Sequence, residues 1–321
     1  MLNAKNNSKI SKTSGILIAL TAFLVILYCL SFTKSCSSKD TREKVKTALV
    51  NQKYQNTISL INLQDATGSL ELNNYNGFWT LQRFSDYTSS QLPTPPSIPV
   101  SQERINNFFN ELIKVRNLYK ISDKISQNSS FGLTNGTEFH LRYYTDDTFH
   151  ELIFGNQDFS LSSRYMMTEK STQIYETDNS LDTFLTTSVQ SWAEPFLISQ
   201  TVLGKITAQD IQRTQVQSKN TQPHVSTISD VQKLLDLRHG GIPDIQDLVF
   251  LQPEYAQIPE MVITLELGNK NEIELQVYKS ASDNEFIVLT NYKTDKAEAP
   301  FFTSSVKVSN WTYNKIKEIT L

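Results

Sequence analysis

Three carboxylates close together in the sequence are the clearest candidates for catalysis. Asp244 and Asp247 stand three residues apart, and Glu254 follows them. Glycoside hydrolysis requires two carboxyl groups that flank the scissile bond, one of which acts as an acid and the other as a nucleophile or base. The trio therefore defines a hydrolase hypothesis. A solvated acidic loop is the simpler interpretation, because nothing in the sequence indicates an environment that would perturb these groups.

The four histidines do not predict a metal site. His140 and His150 fall on opposite faces of a predicted β-hairpin, so they cannot converge on one ion. His239 lies at the predicted C-terminus of a helix, where it suits the helix dipole, and His224 lies in a polar loop. The chain also contains no G-x-S-x-G, P-loop, H-E-x-x-H or G-x-G-x-x-G motif. We therefore predict no catalytic residue, no cofactor and no metal, and a protein that is not an enzyme.

A cluster of aromatic residues supports a different hypothesis. Tyr75, Phe78 and Tyr87 stand near one another in a β-rich region. If they line an exposed groove, they could bind a saccharide or a peptide from the cell envelope. This binding module is the alternative to a non-catalytic scaffold.

Charge and cysteine content exclude several classes of protein. Residues 1–46 carry a net charge of +6 and the remaining residues a net charge of −9. An acidic body is not typical of nucleic-acid binders, which carry a clustered basic patch. Both cysteines, Cys29 and Cys36, precede the body, so the body can form neither an internal disulfide nor a thiolate metal site.

The segment at residues 15–32 is apolar and uncharged. As a helix it would extend about 27 Å, close to the thickness of a bilayer core. We predict a transmembrane anchor that contacts membrane lipid, a cytoplasmic tail at residues 1–14 and a juxtamembrane linker or helix at residues 33–55. The body would then lie on the extracytoplasmic, periplasmic side of the cytoplasmic membrane, because long domains translocate largely regardless of their charge.

Two alternatives to this anchor remain open. A cleaved signal peptide usually has a shorter apolar core and small residues at its cleavage site. A lipoprotein would be acylated at Cys36, although Lys34 departs from the usual sequence before a lipidated cysteine.

Alternating and helical patterns predict the elements of the body. A hairpin at residues 138–154 should pair Phe139 with Phe154, Leu141 with Leu152, Tyr143 with His150 and Arg142 with Glu151. Further strands are predicted at 57–63, 69–72, 78–81, 163–168, 173–176, 206–217, 261–267, 272–277, 285–289 and 305–308. Helices are predicted at 41–49, from Ser101 to Val115, at 181–192, at about 230–237 and at 311–319.

These elements predict two domains, at residues 56–199 and 200–321. Residues 137–192 and 261–319 share the order of hairpin, strand, strand and helix, which suggests a loose internal repeat. The predicted fold class is α+β, with an N-terminal transmembrane helix followed by two units of antiparallel sheet that are each covered by helices.

Several short motifs follow one another in the first domain. They are Gly68, Leu70 and Leu72, Phe78–Leu81, the helix from Ile105, Phe131–Leu133, Phe139 and Leu141, Ser163–Tyr165, Ile174 and Tyr175, and Ser191–Glu194. This order resembles the bacterial domain-of-unknown-function family 4340, and the resemblance covers roughly residues 56–196. Members of this family are membrane-anchored envelope proteins that are often encoded beside gliding-motility-type ABC transporter components.

The resemblance implies a function but no site residues. It suggests a membrane-anchored accessory or scaffold protein of an ABC-type transporter or motility complex, with transporter subunits as partners. The family has no established catalytic residues that could be assigned to positions in this chain.

Overall fold

The structure is a computed structural model of the 321-residue chain. By their contacts, residues 1–43 and residues 44–321 form two units, each of which is described by itself. The described residues are 20–25, 42–75, 77–84, 96–134, 136–145, 148–168, 171–219, 222–225, 231–251, 257–282, 284–294 and 299–320.

The described part of the first unit is small. Residues 20–25 are helical and exposed. Nowhere in the described ranges is a helix both long enough and apolar enough to span a bilayer. The rest of the predicted anchor at residues 15–32, the tail at residues 1–14 and Cys36 lie outside the described residues.

A ten-stranded antiparallel sheet forms the first half of the second unit. Its strands lie in the order β1-β6-β10-β9-β8-β7-β2-β3-β4-β5. Their bounds are β1 Lys44–Thr47, β2 Ile58–Asp65, β3 Gly68–Tyr75, β4 Phe78–Arg83, β5 Ile98–Pro99, β6 Arg116–Ser122, β7 Phe139–Thr145, β8 Thr148–Gln157, β9 Ser163–Thr168 and β10 Ile174–Asp178.

The central hairpin of this sheet has the predicted register. Tyr143 lies opposite His150, and Arg142 lies opposite Glu151 with 2.7 Å between the guanidinium Nε and the carboxylate. The other two predicted pairs, Phe139 with Phe154 and Leu141 with Leu152, are also formed. Alternation alone was sufficient here, because a shift of one residue would move the whole apolar set to the opposite face.

Helix α1, Gln102–Ile113, covers one face of this sheet. Ser101 caps the helix by accepting a hydrogen bond from the main-chain N–H of Arg104, as its sequence position predicts. Phe108 is fully buried, and its ring lies 5.2 Å from that of Trp192 and 5.4 Å from that of Phe184. These rings form the centre of the packing between helix and sheet.

A six-stranded antiparallel sheet forms the second half of the unit, in the order β12-β11-β13-β14-β15-β16. Its strands are β11 Ile211–Ser218, β12 His224–Val225, β13 Met261–Leu267, β14 Glu272–Lys279, β15 Glu285–Lys293 and β16 Phe302–Ser309. The remaining helices are α2 Val189–Trp192, α3 Val231–Leu235, α4 Ile245–Phe250 and α5 Asn310–Thr320.

The segment at residues 193–201 joins the two sheets through the buried side chain of Glu194. The main-chain N–H of Glu194 donates to the carbonyl of Pro99 in β5, at 2.8 Å. Its carboxylate accepts hydrogen bonds from the main-chain N–H of Gln200 at 2.7 Å and from the hydroxyls of Ser199 at 2.5 Å and Thr201 at 2.9 Å. The carboxylate therefore fixes the turn that connects the sheets.

The same segment is bonded to the second sheet. The main-chain N–H of Ser199 donates to the hydroxyl of Tyr292 at 2.7 Å, and the hydroxyl of Thr290 donates to the carbonyl of Leu197 at 3.3 Å. Both strand residues lie on β15 and are fully buried. Burial raises the pKa of the Tyr292 phenol, so it stays protonated at all ordinary pH values.

The predicted fold class is wrong. Strands make up 44% of the structure and helices 22%, so the protein is mostly β with two antiparallel sheets. No membrane-spanning helix precedes the sheets within the described residues. Among the α-helices described in residues 44–321, α2, α3 and α4 have only four to six residues, so helices do not cover each sheet in the manner of an α+β fold.

Two predicted helices account for much of this error. Residues 44–47 form the edge strand β1, because pairing with β6 outweighs their local helical pattern. Residues 181–184 form a turn and residues 185–188 are irregular, while Leu181 and Phe184 are buried in the core. The hydroxyl of Thr186 accepts a hydrogen bond from the main-chain N–H of Ser188. Such bonds from Ser and Thr side chains compete with the main-chain hydrogen bonds of a helix.

The element order behind the suggested internal repeat is found in both stretches, as β7, β8, β9, β10 and α2 in the first and as β13, β14, β15, β16 and α5 in the second. The closing helices differ in length, with four residues in α2 and eleven in α5. The two-domain division at residues 199 and 200 remains a prediction.

We expect Glu194→Ala to lower the free energy of unfolding by about 3 kcal/mol or more, because it leaves buried donors without an acceptor. Urea unfolding followed by circular dichroism measures this change. Glu103→Ala, in the exposed first turn of α1, is the matched control and should cost less than about 1 kcal/mol. Equal losses in the two variants would contradict the role of Glu194 at the junction.

Candidate functional site

The most unusual surface feature is the loop between β8 and β9, residues 158–162, which we call the hairpin tip. Phe159 in this loop is fully exposed, and Leu161 is 63% exposed. Scattered exposed apolar residues are ordinary, but two large ones at the end of a single loop form a local apolar projection. The tip is therefore the candidate site for contact with another molecule.

Asp158 holds the hairpin tip in one conformation. Its carboxylate accepts hydrogen bonds from the main-chain N–H groups of Ser162 and Ser163, both at 3.0 Å, and from the hydroxyl of Ser160 at 2.5 Å. The Ser160 hydroxyl bond, together with the N–H groups, lowers the pKa of Asp158 to about 2. The loop is thus fixed by an ionised carboxylate at neutral pH.

Leu161 has the left-handed backbone conformation, with φ of 58°. This conformation costs roughly 1 kcal/mol for a residue other than glycine. The Leu161 N–H donates to the carbonyl of Asp158 at 3.0 Å, and its own carbonyl accepts from the side-chain amide of Asn179 at 2.9 Å. These bonds offset the strain and orient the Leu161 side chain outwards.

The base of the hairpin is also braced. The Arg164 guanidinium Nε lies 2.6 Å from the carboxylate of Asp182, and the side-chain amide of Gln157 donates to the same carboxylate. Gln157 and Arg164 are the last cross-strand pair before the loop. The tip therefore projects from a rigid platform, which lowers the entropy that a partner must remove on binding.

Two of the three carboxylates of the hydrolase hypothesis have structural roles. Asp244 caps helix α4 by accepting from the Asp247 N–H at 3.0 Å. Asp247 is fully buried and accepts from the Ser280 hydroxyl at 2.6 Å, while the Lys307 ammonium lies 3.0 Å from it. Glu254 lies outside the described residues.

The electrostatics of Asp247 fit this structural role. Burial opposes its ionisation, but the hydrogen bonds from Ser280 and Lys307 are stronger, so the pKa of Asp247 is lowered. Lys307 also lies 2.7 Å from the carboxylate of Glu285, and these bonds raise its pKa against the effect of burial. Both groups remain charged at neutral pH and hold α4 against β16.

The aromatic residues of the saccharide hypothesis pack between the two sheets. Phe78 is buried, with its ring 5.2 Å from that of Phe302 on β16. Tyr75 is 40% exposed, but its hydroxyl donates to the carbonyl of Phe301 at 2.9 Å. Tyr87 lies outside the described residues. Tyr75 and Phe78 therefore connect the sheets, and Phe78 offers no surface to a ligand.

The histidines are dispersed. His140 bonds to Glu151 at 2.8 Å, whereas His150 stacks on Tyr143 from the opposite face, with 4.8 Å between ring centroids. His239 donates to the carbonyl of Glu194 at 2.7 Å, and burial lowers the pKa of its ring. Within the described ranges, no three His, Cys, Asp or Glu side chains are grouped as a metal site would require.

Sequence reasoning missed the hairpin tip. The stretch 158–163 contains an Asp and three Ser residues, which are typical of turns, interrupted by Phe159 and Leu161. Two large apolar residues within such a turn are the available signal.

The carboxyl group of Asp158 should titrate near pH 2, as measured by carbon-detected NMR. Because its pKa is lowered on folding, its contribution to the order of the loop is complete above about pH 4 and decreases as the pH falls towards 2. Ser160→Ala should raise this pKa while the bonds from the Ser162 and Ser163 N–H groups remain. Titration of the native protein near pH 4 would contradict this account.

Asp247→Asn should lower the free energy of unfolding by about 1–3 kcal/mol, because Lys307 loses its buried anionic partner. Chemical denaturation at pH 7 measures the effect. Asp236→Asn, at an exposed position, should change stability by no more than about 0.5 kcal/mol. If the two variants were equally stable, Asp247 would not have the structural role described above.

The family motifs noted in the sequence have packing roles. Gly132 has φ of +67°, and a Cβ atom there would lie 2.4 Å from the side chain of Asn156. Trp192 is fully buried, and Glu194 joins the sheets. These residues of the motifs therefore pack the fold around the hairpin and the junction.

Comparison with known proteins gives one match. No curated protein and no solved structure matches the chain. Residues 91–238 match the family model described as Domain of unknown function (DUF4340). The match begins later than the predicted resemblance at residues 56–196, and it continues through the junction to three residues beyond the end of α3. The resemblance to this family is confirmed over residues 91–238.

Proposed function

We propose that this protein is a non-enzymatic scaffold that docks a protein partner through its hairpin tip. The partner is a subunit of an ABC-type transporter or motility complex, as the family resemblance suggests. The body lies on the extracytoplasmic side of the cytoplasmic membrane, where the apolar segment at residues 15–32 holds it. Acylation at Cys36 is the alternative means of attachment.

The observation that carries this proposal is the rigid exposure of Phe159. Burying one Phe or Leu side chain is worth about 1.5–3 kcal/mol, and aromatic residues often dominate interface energies. Because Asp158, Asn179 and the Arg164–Asp182 pair already hold the loop, little of this energy is lost in ordering it. Phe159 and Leu161 are thus suited to enter an apolar pocket of a partner.

The roles of the candidate catalytic groups support a non-enzymatic protein. Asp247 is buried against Lys307, Asp244 caps a helix, and His239 is a neutral donor to a main-chain carbonyl. Each of these groups is engaged in holding the fold, which does not favour a role in acid–base chemistry.

A photocrosslinking experiment tests the proposal. A photoreactive phenylalanine analogue at position 159 of the full chain, activated in native membranes, should crosslink a transporter subunit identified by mass spectrometry. Phe159→Ser should reduce co-purification of that subunit at least tenfold, which corresponds to about 1.4 kcal/mol, and should leave the unfolding midpoint unchanged because the side chain is exposed.

The matched control is Val115→Ser, since Val115 is 57% exposed but lies outside the hairpin tip. This variant should co-purify with the subunit as the native chain does. Crosslinks from position 159 to lipid alone, or to a second copy of the chain, would contradict docking to a transporter subunit.

A further inference from the structure

A second surface feature lies on the six-stranded half of the unit, far in sequence from the hairpin tip. Helix α5 and the residues that follow helix α3 border a groove of about 460 Å³. This volume lies within the range of small-molecule sites. Leu237 and Ile319 contribute apolar surface to the groove, and Trp311 borders it on the side of α5.

Trp311 is the exposed tryptophan of this chain. It is 67% exposed, whereas Trp79 is 8% exposed and Trp192 is fully buried. A buried indole ring removes a large apolar area from water and so stabilises a fold. The exposed ring of Trp311 does not contribute this stabilisation. The exposed ring offers a flat apolar surface to a ligand.

The position of the indole ring is supported from within the helix. Lys315, one turn along α5, places its ammonium 5.9 Å from the centroid of the Trp311 ring. The same ammonium lies 2.6 Å from the carboxylate of Glu318. The three side chains form a row along one side of the helix.

The charges that border the groove are balanced. Lys315 and Glu318 line it from α5, while Lys233 and Asp236 line it from α3 and the turn that follows. An anionic ligand would meet two carboxylates, and a cationic ligand would meet two ammonium groups. A neutral ligand with many hydroxyl groups can instead donate to the carboxylates and accept from the ammonium groups. The balance of charge therefore favours a neutral ligand.

We propose that this groove binds a neutral saccharide, with one sugar ring stacked on the indole of Trp311. The aliphatic C–H face of a pyranose complements the electron-rich face of the indole ring. The hydroxyls at the edge of the sugar bond to Asp236 and Glu318 as acceptors and to Lys233 and Lys315 as donors. This site is separate from the docking tip and from Tyr75 and Phe78.

Fluorescence quenching of the full chain tests the proposal. Because Trp79 and Trp192 are buried, acrylamide quenching reports mainly on Trp311. The probes are cellotetraose, maltotetraose and chitotetraose, each titrated to about 10 mM. At least one should protect Trp311 from acrylamide in a saturable manner, and the Trp311→Tyr variant should retain weaker binding in calorimetry.

Trp311→Ala should abolish the calorimetric signal while its urea unfolding midpoint stays close to that of the native chain. Phe159→Ser, the docking variant, should bind the saccharide as the native chain does, so this proposal and the proposed function can fail separately. The proposal would be overturned if none of the three probes protected Trp311. It would also be overturned if the native chain bound no saccharide and the Trp311→Ala variant no longer crosslinked to a protein partner that the native chain crosslinks. That result would assign the groove to a protein.

Discussion

The buried carboxylate of Glu194 is the constraint on which the arrangement of the two sheets depends. Its oxygens accept hydrogen bonds only from neutral donors in the turn at residues 199–201, and its main chain bonds to Pro99 on one side and His239 on the other. A polar group buried in such a place is costly unless its acceptor sites are filled. Because the donors belong to the connecting segment, the carboxylate specifies one path for the chain between the sheets.

The two halves of the unit use their surfaces differently. The ten-stranded sheet contains the β8–β9 hairpin, whose apolar tip is held by Asp158, whereas the six-stranded sheet carries helix α5 with the exposed indole of Trp311. In both places a charged side chain supports an exposed apolar one, through Asp158 at the tip and Lys315 on the helix. The exposed apolar side chains at the hairpin tip and at Trp311 do not contribute to the core, so the residues that stabilise the fold differ from those that these surfaces expose.

The sequence motifs that mark the family are explained by packing. Gly132 lies against Asn156 with no room for a Cβ atom, and Trp192 fills the space beneath α1 next to Phe108. These contacts shape the sheet from which the hairpin tip projects.

The sequence by itself predicted most of the strands, the register of the β7–β8 hairpin and the cap of α1, because alternation and capping are local and a one-residue shift would expose the core. It did not predict strands β1, β5, β6 and β12 or the irregular segment at residues 181–188, where pairing between strands and hydroxyl bonds outweigh local periodicity. Only the tertiary structure showed that Asp244 and Asp247 form a helix cap and an ion pair with Lys307, and that Tyr75 and Phe78 make contacts between the sheets. It alone also exposed Phe159 and Trp311, because the exposure of a side chain depends on residues that are distant in sequence.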